Sequence, residues 1–205
     1  MNEQWLTWAT EIQAIAQTGL AYATDVFDRE RYTRLREISA EILASYTDVP
    51  VEKVAELFCN EDGYQTPKLD TRAVIVREGK ILLVQEASGR WAMPGGWADI
   101  GLTLGQNVAK ETKEEAGLDV VPRRVLAVQD RAKHNQPELP WSIWKIFVAC
   151  DVMGGQFEPN VETIDSGYFG LDELPPLHEG KTTRAQVEMC LAGVAAGAGA
   201  DVVFD

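Results

Sequence analysis

The sequence has little of what marks a secreted, membrane-spanning or disulfide-stabilised protein. It contains three cysteines among 205 residues, Cys59, Cys150 and Cys190, and no Cys-x-x-Cys pair. Their odd number and wide spacing argue against a disulfide framework and against a structural zinc site. No run of about 18 apolar residues is present, so we expect no membrane-spanning helix. The start MNEQWLTWATEIQ is acidic and unlike a signal peptide, and we therefore expect a cytoplasmic protein.

Positive charge is also scarce. The chain has 19 Lys and Arg residues against 32 Asp and Glu, a formal net charge of −13. Duplex nucleic acids bind through stripes of lysine and arginine, so we expect no duplex partner, although RNA ends are not excluded. A small phosphorylated ligand is compatible with this charge, because carboxylates can hold Mg²⁺ or Mn²⁺ and the metal then meets the phosphate.

The first third of the chain has helical periodicity. Apolar residues recur every three or four positions in NEQWLTWATEIQAIAQTGL, which we predict to end near Gly19, and again in DRERYTRLREISAEILASY. PVEKVAELF offers a proline start for a short third helix. Turn formers Gly63 and Pro67 follow. We therefore predict a small all-α domain over residues 1–66 and a second domain over residues 67–205.

The second part mixes strand and helix patterns. The β-branched runs RAVIV and KILLVQE flank Glu78-Gly79, which predicts a hairpin, and RRVLAVQD and WSIWKIFVACDV predict further strands. TTRAQVEMCLAGVAA predicts a C-terminal helix. The pattern indicates an α+β domain with a mixed sheet.

An acidic helix is predicted in the middle of this domain, from Leu104 to Ala116, because the stretch lacks proline and ends at a glycine. Glu111, Glu114 and Glu115 fall within an arc of about 100° on one side of it. Three carboxylates on one rigid element suit a hard divalent cation. The competing interpretation is a solvated acidic face that neighbouring lysines neutralise.

A glycine turn before the helix favours the metal site. Pro94-Gly95-Gly96 follows a predicted strand, and glycines let the backbone approach a ligand closely, so that their carbonyls can join a coordination shell. A strand, a glycine turn and a carboxylate helix form a more specific pattern than any one of them.

This stretch, WAMPGGWADIGLTLGQNVAKETKEEAGL, resembles the Nudix box of hydrolases that act on nucleoside diphosphates linked to another moiety. The residues that match the box are Gly96, Glu111, Glu114, Glu115, Gly117 and Leu118. Three positions depart from it: Leu102 replaces a glutamate, Lys110 an arginine and Thr112 an aliphatic residue. With GRWAMPGG and GYFGLDELPPL, the resemblance covers about residues 70 to 205 and implies an α-β-α Nudix sandwich.

The helical segment and PGGWAD resemble a narrower subgroup, the CDP-choline pyrophosphatases. That resemblance implies hydrolysis of CDP-choline to CMP and phosphocholine. ADP-ribose or a nucleotide sugar is the alternative substrate. Two hypotheses of other classes are a nucleotide-sensing module without hydrolysis and a protein-interaction role for the helices.

The resemblance also implies roles for individual residues. The Gly95 carbonyl, Glu111 and Glu115 would hold the principal Mg²⁺ or Mn²⁺ ions, and Glu114 would join a second site. Glu111 could orient the attacking water. An acid from a late loop could take its proton, and Glu162 is our first choice there, ahead of Glu158 and Asp165.

Contacts with the substrate are less defined by the sequence. Four cations at predicted strand ends are candidates for phosphate contacts: Arg72, Arg90, Arg131 and Lys133. His134 could touch phosphate or base, whereas His178 is expected to be structural. A quaternary ammonium would call for an aromatic face, and the candidates for it are Trp97, Trp141 and Trp144.

The helical segment carries more apolar surface than it can enclose. About 65 residues in short helices bury too little to be stable alone, yet this segment carries Trp5, Trp8, Ile12, Tyr32, Leu35 and Leu43. We therefore predict a homodimer through these helices, since two-fold dimers are the commonest oligomers. The alternative is an intramolecular cap on the second domain.

The glutamate face yields a first test by mutation. Glu115→Gln keeps the size of the side chain and removes its charge, so kcat should fall by about 100-fold, the order lost with one preorganised electrostatic contact. Lys113→Ala, on the other side of the helix, should change kcat little. Steady-state kinetics measure both, and equal effects would mean that the wrong face has been chosen.

Overall fold

The structure is a computed structural model and describes residues 4–205. Along these residues the helices are α1 Gln4–Tyr22, α2 Val26–Ser45, α3 Val51–Phe58, α4 Leu104–Ala116, α5 Arg131–His134 and α6 Arg184–Ala195. The strands are β1 Lys68–Val74, β2 Val76–Arg77, β3 Lys80–Glu86, β4 Trp91–Ala92, β5 Leu118–Asp130, β6 Ile143–Gly155, β7 Thr163–Phe169 and β8 Val203–Phe204. None of the helices in this range is both long and apolar enough to cross a membrane.

The described chain forms two compact units. The helical unit runs to Pro67 and includes Leu139–Ser142, and the α/β unit comprises Lys68–Glu138 and Ile143–Asp205. Leu139–Ser142 carries no helical pattern that would have predicted its place with the helices. Thr10 Oγ1 donates to the carbonyl of Pro140 at 3.5 Å, which is one of the contacts that hold the segment there.

The helical unit has a small apolar core. Its buried members come from all three helices: Leu6, Ala9, Ala40, Leu43, Val54 and Phe58. Trp5 stacks on Tyr46 with ring centroids 4.7 Å apart. The side chain of Asp25 caps α2 by accepting from the amides of Phe27 and Asp28, which satisfies donors that have no partner within the helix.

The first helix does not end at Gly19, contrary to the prediction. It continues to Tyr22, and the Ala23 amide donates to the Gly19 carbonyl at 2.8 Å. A Cβ at position 19 would overlap the ring of Tyr32. The glycine therefore permits the close approach of α1 and α2 rather than ending a helix.

The α/β unit contains two four-stranded sheets. In the first, the order is β1-β6-β5-β8, with β1 parallel and β5 antiparallel to β6, and β8 parallel to β5. In the second, β3 pairs antiparallel with β2, β4 and β7. The predicted fold class, a mixed sheet with helices after an all-α segment, is confirmed.

Alternating side chains of the strands face two different helices. Val74, Leu83 and Phe147 pack in one apolar cluster with Val187 and Cys190 of α6. Their neighbours Ala73, Leu82, Val84 and Val148 pack in a second cluster with Val108 and Ala116 of α4. Because side chains of a strand alternate between its faces, α4 and α6 cover opposite sides of the strands, as the sandwich requires.

The predicted hairpin at Glu78-Gly79 is confirmed. Both residues have positive φ, 52° and 73°, the backbone that tight two-residue hairpin turns require. The apolar run before it serves both sheets, because β1 belongs to the first and β2 to the second. Ile75 lies between them, and its carbonyl accepts from the Leu82 amide at 2.9 Å.

A buried polar row crosses three strands of the first sheet. Asp70 of β1 and Gln129 of β5 both pair with Lys145 of β6, and all three are buried. Asp70 Oδ1 lies 2.8 Å from the Arg72 guanidinium, and its Oδ2 lies 3.4 Å from Lys145 Nζ. Burial and the positive charge of Arg72 lower the pKa of Lys145 to about 7, while Asp70 acts in the opposite direction. Asp70 is thus the counter-ion of two buried cations.

This arrangement predicts a large loss of stability on removing one charge. Asp70→Asn would leave Arg72 buried without its counter-ion, so the free energy of unfolding should fall by about 3–5 kcal/mol. The control is Asp151→Asn, which breaks the exposed pair with Arg123 at 2.6 Å and should cost less than about 1 kcal/mol. Urea unfolding followed by circular dichroism measures both, and similar losses would contradict the role of Asp70.

Candidate active site

The acidic helix α4 forms where its local signals predict. Thr103 caps it reciprocally with Gln106, and Gly117 ends it with φ of 68°, a left-handed residue that favours glycine. Thr112, the departure from the aliphatic residue of the box, is buried. Its hydroxyl donates to the Val108 carbonyl one turn earlier, at 2.7 Å, so the buried oxygen has a partner.

The glycine turn is fixed to strand β1. The amides of Thr71 and Ala73 donate to the carbonyls of Gly96 and Pro94, both at 2.8 Å. Gly95 has φ of 140°, and a Cβ there would overlap the Thr71 carbonyl. A side chain at this position is excluded by the close approach of two backbones.

Two of the three glutamates meet this turn. The Gly95 amide donates to Glu115 Oε2 at 2.8 Å, and a Cβ on Gly96 would lie 2.6 Å from Glu111 Oε2. Glu114 differs from them, because its side chain is about half exposed and pairs with Lys110 at 2.7 Å. The structure therefore brings Glu111, Glu115, Gly95 and Gly96 together and leaves Glu114 at the edge.

The environment of the two inner carboxylates favours a cation. Burial raises the pKa of Glu115 to about 7, and the Gly95 amide and the positive charges of Arg72 and Lys181 act against that rise. Burial also raises the pKa of Glu111, against the hydrogen bond from Lys110. A divalent cation beside these groups would favour their ionised forms.

A metal ion fits this donor set. Carboxylate and carbonyl oxygens are the ligands that Mg²⁺ and Mn²⁺ prefer. No group of three or more His, Cys, Asp or Glu residues within residues 4–205 is arranged for a metal by itself. The fit therefore rests on two carboxylates, Glu111 and Glu115, together with the backbone of the turn.

Lys110 neutralises the acidic face. Its ammonium lies 2.7 Å from Glu114, 3.2 Å from Glu111 and 3.3 Å from Asp99. Part of the solvated-face interpretation thus holds, since a lysine does offset the clustered charge. Lys113 lies away from the inner carboxylates and pairs with Asp119 at 2.9 Å.

The late loop that carries Glu162 contacts the end of α4. Asn160 Nδ2 donates to the Glu114 carbonyl at 2.9 Å, and Thr163 Oγ1 donates to the Glu115 carbonyl at 2.7 Å. Glu162 lies between these two anchors and is exposed. Its role as the base stays a prediction.

The four cations expected to contact phosphate fall into two groups. Arg72 and Arg131 are buried. The guanidinium of Arg72 binds Asp70 and also donates to the Met93 carbonyl at 3.1 Å, and that of Arg131 donates to the Pro137 carbonyl at 2.8 Å. Arg90 and Lys133 are exposed. Their contacts with phosphate stay predictions, and the structure shows that the two buried arginines already have acceptors.

The remaining candidates are spread over the chain. Trp97 and Trp144 are about half exposed, and Trp141 belongs to the helical unit. His134 Nε2 lies 2.7 Å from Asp205, so its ring has a partner other than a substrate. The nitrogen Nδ1 of His178 is buried without a hydrogen-bond partner.

Two residues near the glutamates were not predicted. Lys181 Nζ lies 2.6 Å from Glu86 Oε1, and Lys181 acts electrostatically on Glu115. Neither residue belongs to a motif. They approach α4 through pairing of distant strands and through the loop before α6, for which the sequence carries no local signal.

Comparison with known proteins agrees with this geometry. A family model described as the NUDIX domain matches residues 67–188, and one described as a UDP-X-like, N-terminal oligomerisation domain matches residues 3–58. The chain is 46% identical over 190 residues to a Bacillus subtilis protein provisionally named an ADP-ribose pyrophosphatase. The match covers 92% of this chain and 91% of that one.

Two crystal structures are similar to it as well. One, an ADP-ribose pyrophosphatase from Streptococcus suis, is 50% identical with a TM-score of 0.62, and the match covers 68% of this chain and 100% of that chain. The other, a UDP-X diphosphatase, is 34% identical with a TM-score of 0.65 over 98% of both chains. The matches and the glycine turn beside the glutamate helix lead to one conclusion: the chain belongs to the Nudix hydrolase family.

Proposed function

We propose that the protein hydrolyses the pyrophosphate bond of a nucleoside diphosphate linked to a second moiety, with the help of a divalent metal ion. The observation that carries this proposal is the meeting of Glu111 and Glu115 with the Gly95-Gly96 turn, through the 2.8 Å bond from the Gly95 amide. A pyrophosphate bridge is anionic and repels nucleophiles, so its hydrolysis calls for concentrated positive charge.

The residues of the turn and of the helix have different proposed roles. Glu111, Glu115 and the Gly95 carbonyl would hold Mg²⁺ or Mn²⁺, with Glu114 at a second position. When bound, the metal neutralises phosphate oxygens and lowers the pKa of water. The Gly95 amide keeps Glu115 oriented, and Lys110 offsets the charge of Glu111 and Glu114. Glu162 is the proposed acceptor of the proton from water.

For the substrate we propose ADP-ribose ahead of CDP-choline. The names of two relatives with 46% and 50% identity support ADP-ribose, whereas none of the relatives described above is named for CDP-choline. The structure similar over almost the whole chain is named a UDP-X diphosphatase, so a uridine nucleotide linked to a second group is the next candidate. CDP-choline rests only on the resemblance of the helical segment and of PGGWAD.

A module that binds nucleotides without hydrolysis is the proposal's main rival. Binding alone would not call for two carboxylates of low exposure held beside the glycine turn. Glu115 is buried and has a raised pKa of about 7, which costs stability unless a cation offsets it. The retention of Glu111, Glu114 and Glu115 therefore favours an enzyme.

We also propose that the protein is a homodimer through its helical unit. The family model over residues 3–58 is described as an oligomerisation domain. Trp8, Ile15 and Tyr22 are 55%, 50% and 70% exposed. They recur every seven residues along α1, and such a spacing places side chains on one face of a helix. An exposed apolar stripe of this kind marks an interaction surface. Of the residues predicted for the interface, Leu43 is instead buried inside the unit.

The proposed reaction predicts dependence on metal and a ranking of substrates. With Mg²⁺ or Mn²⁺, ADP-ribose should be cleaved to AMP and ribose 5-phosphate with a higher kcat/KM than UDP-glucose or CDP-choline. A 5′-triphosphate RNA completes the panel. Chelation should abolish turnover, because the charge on the pyrophosphate bridge is then left unneutralised. Added metal should restore turnover. Product chromatography measures each compound, and full activity in excess chelator would reject the proposal.

The proposed dimer predicts a mass near twice the 22.7 kDa of one chain in light scattering at micromolar concentration. The double variant Trp8→Glu, Ile15→Glu places two charges on the stripe and should shift the mass to that of a monomer. Met153→Glu, at another exposed apolar residue (68% exposed), is the matched control and should remain dimeric. A wild-type mass of one chain would refute the dimer.

A further inference from the structure

An ion pair beside the inner carboxylates has no part in the proposed metal site. Lys181 Nζ lies 2.6 Å from Glu86 Oε1, and the lysine side chain is 38% exposed. The ammonium is therefore both held and accessible.

The backbone of Lys181 is held at the same time. Its carbonyl accepts from the buried ammonium of Lys145, and its amide donates to the His178 carbonyl at 2.8 Å. The next residue, Thr182, accepts from the Met93 amide at 3.0 Å. Met93 lies two residues before Gly95, so the segment that presents Lys181 is tied to the segment that presents the glycine turn.

The partner of Lys181 is also placed beside α4. Glu86 is the last residue of β3 and pairs with Thr163 of β7, whose hydroxyl donates to the Glu115 carbonyl at 2.7 Å. The charge of Lys181 accordingly acts on Glu115, where it opposes the rise in the carboxyl pKa that burial causes. Two independent sets of contacts thus bring the ammonium to the edge of the carboxylate site.

We propose that Lys181 binds the diphosphate of the substrate, and that Glu86 is a positioning residue that holds its ammonium at the edge of the site. The inference rests on the proposed function, which it deepens by assigning the cation that meets the phosphates. Lysine is a common phosphate ligand because its ammonium carries three donors on a flexible stem. The phosphate would share this ammonium with Glu86.

Lys181 is better suited to this role than the two buried arginines among the cations predicted from the sequence. Arg72 is buried and paired with Asp70, and Arg131 is buried with the Pro137 carbonyl as its acceptor. Either would have to leave a buried acceptor to bind phosphate. Lys181 already has an open side, so a phosphate can add to its contacts without breaking the interior.

The test compares Lys181→Met, which keeps the length of the side chain, with Lys181→Arg, which keeps the charge. The control is Lys80→Met, which breaks an exposed pair with Glu173 of similar length, 2.9 Å. For ADP-ribose with Mg²⁺, Lys181→Met should raise KM about tenfold, the effect of losing one charge-assisted contact. The kcat should change less than KM, Lys181→Arg should recover most of the loss, and Lys80→Met should behave as wild type. Glu86→Gln should raise KM by a smaller factor.

A binding measurement separates this inference from the proposed reaction. Calorimetry with AMP and with ADP-ribose, in chelator so that no turnover occurs, should show about tenfold weaker binding for Lys181→Met than for wild type and Lys80→Met. If wild type cleaves no compound of the panel but this difference is found, the proposed reaction fails and the phosphate contact stands. Equal affinities in wild type and Lys181→Met overturn the inference. So does a loss in kcat alone that Lys181→Arg does not restore, because the residue would then be structural.

Discussion

The site depends on one hydrogen bond, from the Gly95 amide to the Glu115 carboxylate. It joins two parts that the fold fixes separately. The turn is held by β1 through Thr71 and Ala73, and α4 is held by its apolar face. The bond forms only if strand β1 and helix α4 are both packed in their native positions. A buried carboxylate without that donor would be costly, so the geometry of the site and the packing of the sandwich are coupled.

Buried positive charge is concentrated near the site, although the chain as a whole is acidic. The molecule is strongly acidic, yet Arg72, Arg131 and Lys145 are buried and all three interact electrostatically with the carboxylate of Asp70. Such a cluster lies on the sheet next to the turn, because Arg72 donates to the Met93 carbonyl. Its positive charge partly offsets the acidic helix. The carboxylates that we propose as metal ligands therefore lie beside buried positive charge, which acts on Glu115.

The elements that sequence alone predicted are those with local causes. The helix α4 lacks proline and ends at Gly117, and the hairpin at Glu78-Gly79 has its signal in those two residues. Gly19 misled because a glycine can end a helix or admit a neighbouring one, and only the position of Tyr32 distinguishes these cases. Arg72 was a candidate for a phosphate contact because of its place at a predicted strand end, and that contact stays a prediction. The sequence did not indicate that Asp70, two residues away on the same face of the strand, binds its guanidinium. Glu86 and Lys181 were missed because they are 95 positions apart in the sequence (181 minus 86) and meet only in the folded chain.

The backbone conformation at Gly95 limits what substitution can reveal about this site. The proposed metal ligand there is a carbonyl oxygen, which no change of side chain removes. Any side chain would collide with the Thr71 carbonyl and would meet a φ of 140°. A Gly95 variant would thus report on the separation of two backbones and not on coordination, and its inactivity would carry no information about the metal. The contribution of this ligand is open only to methods that observe the carbonyl itself, such as isotope-edited infrared spectroscopy with and without metal.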